Sequence, residues 1–209
     1  NKKKITAHCP NSGSMLGLLN EYSDAWISKS DNPNRKLKFT LEIINDKKSN
    51  VGVNTHRANR IVEEALQNKR VVELKKFTSI KREVKFSKET RFDFMLENKS
   101  NKAFLEVKNV TLSREKETSE FPDAVTARGK KHLVHLQEAI KKGYESYLLF
   151  LIQLGFCSNL RNKPVQHSFN LNCFYSHIYK NSYICKNNCT HKCLFVFCES
   201  YTQNLYLFR

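Results

Sequence analysis

The sequence predicts an α/β fold (α+β) with a mixed sheet, preceded by a short β-rich segment. Residues 1–46 contain runs that alternate polar and apolar side chains, as strands do. Residues 47–153 give the order helix, three strands, helix, strand. A chain of 209 residues allows one large domain or two small ones and can bury a core. We therefore divide it into residues 1–46, 47–153 and 154–209.

The net charge of the chain indicates which class of partner it binds. Lys and Arg number 36 against 20 Asp and Glu, a net charge of +16, which favours nucleic acid before a membrane surface. The longest apolar run, residues 147–152, is far too short for a membrane span. No apolar core of a signal peptide follows the first residues. We expect a cytoplasmic protein with a nucleic-acid partner and no membrane.

The β-rich segment, residues 1–46, suits a nucleic-acid-binding barrel. Lys36 and Lys38 alternate with apolar residues in a run that has one buried and one solvated face. Basic residues with interleaved aromatic residues are typical of such barrels, and a plain solvated strand face is the alternative. A charged linker is expected at residues 45–50. The predicted strands are residues 5–8, 25–28 and 37–44.

Two helices are predicted in residues 47–153. Asn54 and Thr55 can cap the first, and the second covers residues 128–142 and ends at Gly143. The apolar stripe that turns the first helix toward a core consists of Ala58, Ile61, Val62, Ala65 and Leu66. The strands predicted around these helices are residues 71–74, 83–86, 91–96, 103–112 and 147–152.

Two of these strands form a predicted hairpin over the loop at residues 97–102. In the symmetric register Asp93 lies opposite Glu106, and directly opposed residues point to the same face. Lys108, two residues after Glu106, shares that face. The opposite face is predicted to face the core, and it consists of Phe92, Phe94, Leu96, Ala103, Leu105 and Val107.

The facing carboxylates suggest a site for a divalent cation. Mg²⁺, or Mn²⁺ in its place, prefers carboxylate oxygens and keeps waters that substrate can replace. Lys108 can orient a metal-bound water or stabilise charge on a phosphate. The arrangement of Asp93, Glu106 and Lys108 is typical of phosphodiester hydrolysis. The alternative is a solvated sheet face of mixed charge.

Other side chains are weaker candidates. Glu63 and Glu64 flank the stripe of the first helix, and the helical period does not choose which could reach a metal. His132 and His135 share a helix face but lack an evident third ligand. The basic residues that could hold phosphates, or simply form solvated surface, are Lys36, Lys38, Lys81, Arg82, Lys85, Arg91, Arg128 and Lys131.

Residues 154–209 differ in composition from the rest. They hold six of the seven cysteines and a single acidic residue, Glu199. The spacing of Cys185, Cys189, Cys193 and Cys198 lacks the two tight, well-separated pairs of a structural zinc site. We expect a divergent tail, for instance one that follows a reading-frame slip after about residue 153. In that case the chain would be a non-functional product.

Five blocks of sequence occur in a specific order and spacing. They are HCPNSGSM at 8–15, VNT at 53–55 with ANR at 58–60 and EAL at 64–66, FDF at 92–94, EVKNVTL at 106–112, and FPDAVTARG at 121–129 with KHL at 131–133. Together they resemble the sugar fermentation stimulation protein family over roughly residues 5–153.

This resemblance implies an OB-like barrel followed by a domain like the PD-(D/E)XK nucleases. Asp93 matches the first metal-binding acid of that pattern, Glu106 and Lys108 match its Glu-x-Lys, and the helix acid falls on Glu64 better than on Glu63. It also implies a bacterial DNA-binding protein linked to regulation of sugar (maltose) metabolism. Such a protein would carry a Mg²⁺-dependent nuclease-like site or act as a non-catalytic DNA-binding regulator. The family has further strands before residue 8, so we expect a truncated barrel.

Overall fold

The structure is a computed structural model. It describes residues 4–47, 49–115, 118–121, 127–155, 159–162, 192–197 and 206–208, the last three ranges through their backbone alone. Its elements are β1 (Ala7–His8), β2 (Ala25–Lys29), β3 (Phe39–Asn45), β4 (Asn50–Gly52), α1 (Thr55–Gln67), β5 (Ser79–Lys85), β6 (Arg91–Glu97), β7 (Lys102–Val110), β8 (Leu112–Glu115), β9 (Thr118–Phe121), α2 (Ala127–Lys141), β10 (Glu145–Ile152), β11 (Asn159–Asn162), β12 (Lys192–Phe197) and β13 (Tyr206–Phe208).

The central sheet has the strand order β12-β10-β7-β6-β5. β5, β6 and β7 are antiparallel neighbours, whereas β7 and β10 are parallel and joined through α2, so the sheet is mixed as predicted. α1 packs against β5 and β7, and α2 packs against β7 and β10. Within the central sheet the predicted order of helix, three strands, helix and strand is confirmed, but two further strands, β8 and β9, lie between β7 and α2 in a separate sheet and are not predicted.

The two helices cover opposite faces of this sheet. Ala58, Val62 and Leu66 of α1 are buried in one apolar cluster with Leu105 and Leu149 of the strands. Such a helix stripe forms because apolar residues three and four apart share one side. The second cluster contains, from α2 and the neighbouring strands, Leu136, Ala139, Phe104, Leu148 and Phe150. The sheet is therefore buried on both faces, which explains why β10 is apolar along almost its whole length.

The N-terminal strands form a second sheet, in the order β1-β3-β2-β13 with β4 paired to β3. Ile44, Val51 and Val53 of this segment lie in the same cluster as α2. A buried ionic group adds to the junction: Glu42 on β3 accepts hydrogen bonds from Arg57 of α1, at 3.0 and 3.1 Å. The N-terminal sheet is thus packed onto the central domain through shared apolar and ionic contacts.

Two local predictions are wrong. Residues 45–50 are not a linker, because Asp46 N–H donates to Ser49 O at 3.1 Å and closes a hairpin between β3 and β4. Residues 71–74 do not form a strand, since Val72–Leu74 is a turn of 3₁₀ helix that buries Leu74 against α1. Asn54 caps α1 as predicted, accepting from His56 N–H at 3.0 Å.

The alternation predicted for the hairpin of β6 and β7 fails at one residue. Phe92 packs against Phe104, with ring centroids 4.9 Å apart, whereas Phe94 lies in the cluster on the other face of the sheet. Between these two positions β5 carries Glu83 with φ +52°, a left-handed backbone that interrupts the regular pairing. The predicted core face therefore loses Phe92, while its other five members share one cluster.

The remaining described strands lie at the edges. β8, β9 and β11 form a three-stranded sheet, β12 is parallel to β10, and β13 pairs with β2. The predictions for Cys185, Cys189 and Cys198 lie outside the described residues, and for Cys193 only the backbone is described. Among the helices described here, none combines the length and apolar character needed to cross a bilayer.

Candidate active site

The hairpin of β6 and β7 brings the two predicted acids together. Its pairs run from Glu97–Lys102 to Phe94–Leu105, which confirms the predicted register, and the next step places Asp93 opposite Glu106. Regular backbone pairing stops there, and Val107 N–H donates at 2.7 Å to Asp93 Oδ2. The carboxylate of Asp93 thus takes the place of a backbone acceptor where the two strands part.

Asp93 is held from two sides. Besides the bond from Val107, Asn59 on α1 donates its side-chain amide to Asp93 Oδ1 at 2.8 Å. Burial, and next the nearby charge of Glu106, raise the pKa of Asp93 to about 6, although the two hydrogen bonds favour the charged form. Asp93 is therefore an oriented carboxylate that takes up a proton at a higher pH than an ordinary aspartate does.

Glu106 is only 3% exposed and is surrounded by donors. Its Oε1 accepts from Lys108 Nζ at 2.8 Å and from the ring nitrogen Nδ1 of His132 on α2. Burial alone would raise the pKa of Glu106, but the hydrogen bond from His132 and the charge of Lys108 outweigh burial and hold the pKa below its ordinary value. Glu106 is therefore ionised.

The second oxygen of Glu106, Oε2, is buried and has no hydrogen-bond partner. A buried carboxylate oxygen normally finds a donor or a cation, because leaving it bare is costly. The carboxylates of Asp93 and Glu106 fit Mg²⁺, which is commonly bound by one or two carboxylates, waters and substrate phosphates. Within the described part of the chain no three His, Cys, Asp or Glu side chains converge on a common point. These two carboxylates thus fit a cation that fills its remaining coordination positions with water or substrate.

A cleft of about 710 Å³ opens onto Asp93. Its two sides come from the hairpin of β5 and β6 and from the first turns of α2. Among the predicted phosphate-binding residues, Arg91, Arg128 and Lys131 lie in its wall, where Lys131 forms an ion pair with Glu89. The other side chains of the wall are Asn59, Glu83, Asp93, Ala127 and His132.

The other predicted basic residues lie outside this wall. Arg82 forms an ion pair with Glu63 of α1 at 3.2 Å, and Lys81 forms one with Glu97 at 2.6 Å. Lys85 is exposed on β5, and Lys36 and Lys38 are exposed in the N-terminal segment just before β3. They add positive potential around the molecule without contacting the cleft.

The two acids of α1, Glu63 and Glu64, do not lie beside the carboxylates of the hairpin. Glu64 is exposed and lies about 140° around the α1 axis from Asn59, the helix residue that reaches Asp93. The prediction of Glu64 as a metal ligand is therefore corrected: α1 presents an amide to the cleft. Glu63 is on the same side as Asn59, one turn further along, but is paired with Arg82.

The roles of two site residues, Asn59 and His132, are not predicted by the sequence pattern. Asn59 gives no signal of its own, because it is a short amide beside a helix stripe. The sequence pairs His132 with His135 as possible metal ligands, but the structure separates the two: His132 contacts Glu106, and His135 contacts the hydroxyl of Thr90. The signal that could have found His132 is its position beside Lys131, at the start of the helix that crosses the acid pair.

Comparison with known proteins assigns the chain to a family. Residues 1–53 match the model of an SfsA N-terminal OB domain, and residues 56–170 match the sugar fermentation stimulation protein RE domain. The second match extends beyond residue 153, the predicted start of a divergent tail.

The same family is indicated by curated relatives, each named sugar fermentation stimulation protein homolog. That of Pelagibacter ubique is 59% identical over 160 residues, covering 77% of this chain and 69% of the relative. That of Agrobacterium fabrum is 44% identical over 158 residues, covering 75% and 66%. The chain thus spans about two thirds of the length of these relatives.

A solved structure shows the same fold. Pyrococcus furiosus SfsA in complex with Ca²⁺ superposes with a TM-score of 0.67 at 22% identity, over 75% of this chain and 66% of that one. The OB-type N-terminal segment, the mixed sheet with a helix on each face, and the sequence matches lead to one conclusion. The chain belongs to the sugar fermentation stimulation protein family.

Proposed function

We propose that this chain binds DNA and hydrolyses its phosphodiester bonds with Mg²⁺ or Mn²⁺. The observation that carries the proposal is the buried Oε2 of Glu106, which has no hydrogen-bond partner and lies near Asp93, an acid in the wall of a cleft. Two facing carboxylates repel each other and the phosphates of DNA, so a protein that only bound DNA would gain nothing from them. The solved complex of the Pyrococcus furiosus relative contains Ca²⁺, a hard cation that also prefers oxygen ligands.

In this proposal Asp93 and Glu106 hold the cation, which would supply an activated water and neutralise charge on the scissile phosphate. Lys108, whose ammonium lies 2.8 Å from Glu106 Oε1, is close enough to orient the attacking water and to stabilise the charge that develops on the phosphate. Asn59 and Val107 keep Asp93 turned toward the cleft.

Arg91, Arg128 and Lys131 give the cleft its affinity for DNA in this proposal. Guanidinium and ammonium groups position a phosphate backbone without reading its sequence. The charge of +16 adds a long-range attraction that is sensitive to salt. The wider role that we propose is in the regulation of sugar metabolism, as the name of the family suggests.

The test is cleavage of single- and double-stranded DNA during titration with Mg²⁺ or Mn²⁺. We compare the wild-type chain with Asp93→Ala and Glu106→Gln. Glu97→Gln is a matched control, because Glu97 lies on the same hairpin and is paired with Lys102 but faces no cleft residue. Circular dichroism confirms that each variant is folded.

Cleavage that requires the cation, persists in Glu97→Gln and disappears in the two site variants would support the proposal. A second candidate function, a non-catalytic DNA-binding regulator, is favoured by the sharing of Glu106 Oε1 between Lys108 and His132. Salt-dependent DNA binding with no cleavage under either cation would select it and reject hydrolysis.

A further inference from the structure

The contact of His132 with Glu106 joins α2 to the acid pair. The His132 ring nitrogen Nδ1 lies at hydrogen-bond distance from Glu106 Oε1. An ionised carboxylate only accepts hydrogen bonds, so Nδ1 must carry the proton and donate it. Glu106 is buried and His132 is half-buried, with side-chain exposures of 4% and 13%, so water competes little for this bond.

This contact makes the two oxygens of Glu106 unequal. Oε1 receives both available donors, His132 Nδ1 and Lys108 Nζ, whereas Oε2 receives none. A carboxylate held through one oxygen cannot rotate freely about its terminal bond. The side chain of Glu106 therefore keeps one oxygen occupied by donors and leaves the other, buried oxygen without a donor.

We propose that His132 is a positioning residue of the site, which holds Glu106 Oε1 so that Oε2 remains available to a divalent cation. The inference rests on the proposed function, because it assigns a role to the same acid pair. Lys108 lies on the same strand as Glu106, only two residues away, whereas His132 holds the carboxylate from a separate element. Hydrogen-bonded partners of metal ligands act in this way, and their loss typically weakens metal affinity.

The proposed role needs an N–H group and no titration of the ring. An asparagine at position 132 can present its amide nitrogen near the position of Nδ1, whereas alanine presents nothing. His135 provides a matched control, since it lies one turn further along α2, is likewise half-buried, and uses its Nδ1 on Thr90 instead of an acid. A positioning role predicts rescue by asparagine, whereas an acid–base role of the imidazole predicts none.

The experiment is calorimetric titration of the full chain with MnCl₂ alone, without DNA. We expect His132→Ala to weaken Mn²⁺ binding by about tenfold or more. His132→Asn should bind Mn²⁺ nearly as well as the wild type, and His135→Ala should leave the affinity unchanged. Thermal unfolding in cation-free buffer accompanies each titration, so that a loss of fold is not counted as a loss of binding.

A second measurement tests the contact without any metal. In the Glu106→Gln background, His132→Ala should change the unfolding midpoint less than it does in the wild-type background, because the ionised partner is gone. Equal changes in both backgrounds would overturn the assignment.

The outcomes separate this inference from the proposed function. Wild-type Mn²⁺ affinity in a folded His132→Ala variant, or an affinity as poor in His132→Asn as in His132→Ala, would overturn the positioning role and leave the cation site standing. A wild-type chain that binds no Mn²⁺ would overturn the cation site and the positioning role together.

Discussion

Asn59 donates its side-chain amide to Asp93 Oδ1 across 2.8 Å, and so connects α1 to the strand that carries the first acid. The only contact of α1 with Asp93 described here is therefore a neutral donor. The two acids of the helix are placed elsewhere: Glu63 is paired with Arg82, and Glu64 points away from the cleft. Two carboxylates, and not three, therefore face the cation that we propose. A site with few charged ligands depends more on the substrate phosphate to complete its coordination.

The first prediction concerns this amide. Asn59→Asp replaces the donor by a second carboxylate in contact with Asp93, and we expect it to destabilise the cation-free chain by about 2 kcal/mol. Added Mn²⁺ should then raise the unfolding midpoint more in the variant than in the wild type. Gln67→Glu, which adds the same charge at an exposed position of α1, controls for net charge. An equal Mn²⁺ response in all three chains would contradict the placement of Asn59.

The second prediction concerns pH. The pKa of Asp93 is raised to about 6, and a protonated carboxyl does not bind a cation. Mn²⁺ affinity should therefore be constant above about pH 7 and fall by up to tenfold per unit below about pH 6. Calorimetric titrations at a series of pH values measure this. An affinity that stays constant down to about pH 5 would show that Asp93 ionises in its ordinary range.

The free energy of unfolding should depend on pH in the opposite sense to the Mn²⁺ affinity: the contribution of Asp93 is larger at low pH. Because the pKa of Asp93 is higher in the folded chain than its ordinary value of 3.8, the native state retains a proton that the unfolded chain has already lost. The contribution of Asp93 to stability thus falls as pH rises from about 4 to about 6, by up to about 3 kcal/mol. Urea unfolding in EDTA, compared with Asp93→Ala, isolates this contribution.

The third prediction concerns phosphate contacts. Arg128→Ala should weaken DNA binding and reduce its salt dependence by about one ionic contact. Glu89→Gln should strengthen DNA binding, since Glu89 is the carboxylate that neutralises Lys131 in the cleft wall. Fluorescence anisotropy across a salt series measures both. Lys141→Ala, at the far end of the same helix, should have a smaller effect, and an equal effect would assign the attraction to net charge alone.

The fourth prediction concerns the junction with the N-terminal sheet. Glu42 is buried and accepts hydrogen bonds from Ser28, Asn54 and Arg57. Glu42→Ala should reduce the free energy of unfolding by about 3 kcal/mol, because it leaves these donors without an acceptor. Glu97→Ala, which breaks pairs with two exposed lysines, should reduce it far less, because water screens such pairs. Equal losses in urea unfolding would show that the junction group is no more important than surface pairs.

The same group has its own pH dependence. Burial raises the pKa of Glu42, but the hydrogen bonds and charge of its partners outweigh burial and hold the pKa below 4.5. A carboxyl whose pKa is lowered on folding contributes stability above its ordinary pKa, and this contribution is lost as pH falls below about 4.5.

Local pattern was sufficient to predict the hairpin that carries the site. Alternation along residues 91–96 and 103–108, with a polar loop between them, predicted the register that places Asp93 beside Glu106. The stripe of α1 predicted its buried side for the same reason. These elements depend on neighbours within a few residues, which a sequence displays directly.

What the sequence pattern could not predict depends on distant contacts. The placement of Phe92 on the other face coincides with a left-handed residue, Glu83, on the adjacent strand, and a periodic pattern within β6 does not display that neighbour. Asn59 and His132 become site residues only because α1 and α2 dock on opposite faces of one hairpin. No periodicity within either helix encodes that docking.

The bond from Val107 N–H to Asp93 gives one carboxylate two roles. It is a ligand candidate and also a rung of the central sheet, where a backbone carbonyl would ordinarily be the acceptor. A substitution of Asp93 therefore changes the hydrogen bonding of the sheet and the candidate cation site at the same time. A family member that lost its cation would be expected to keep an acceptor at this position, as a structural trace of the abandoned activity.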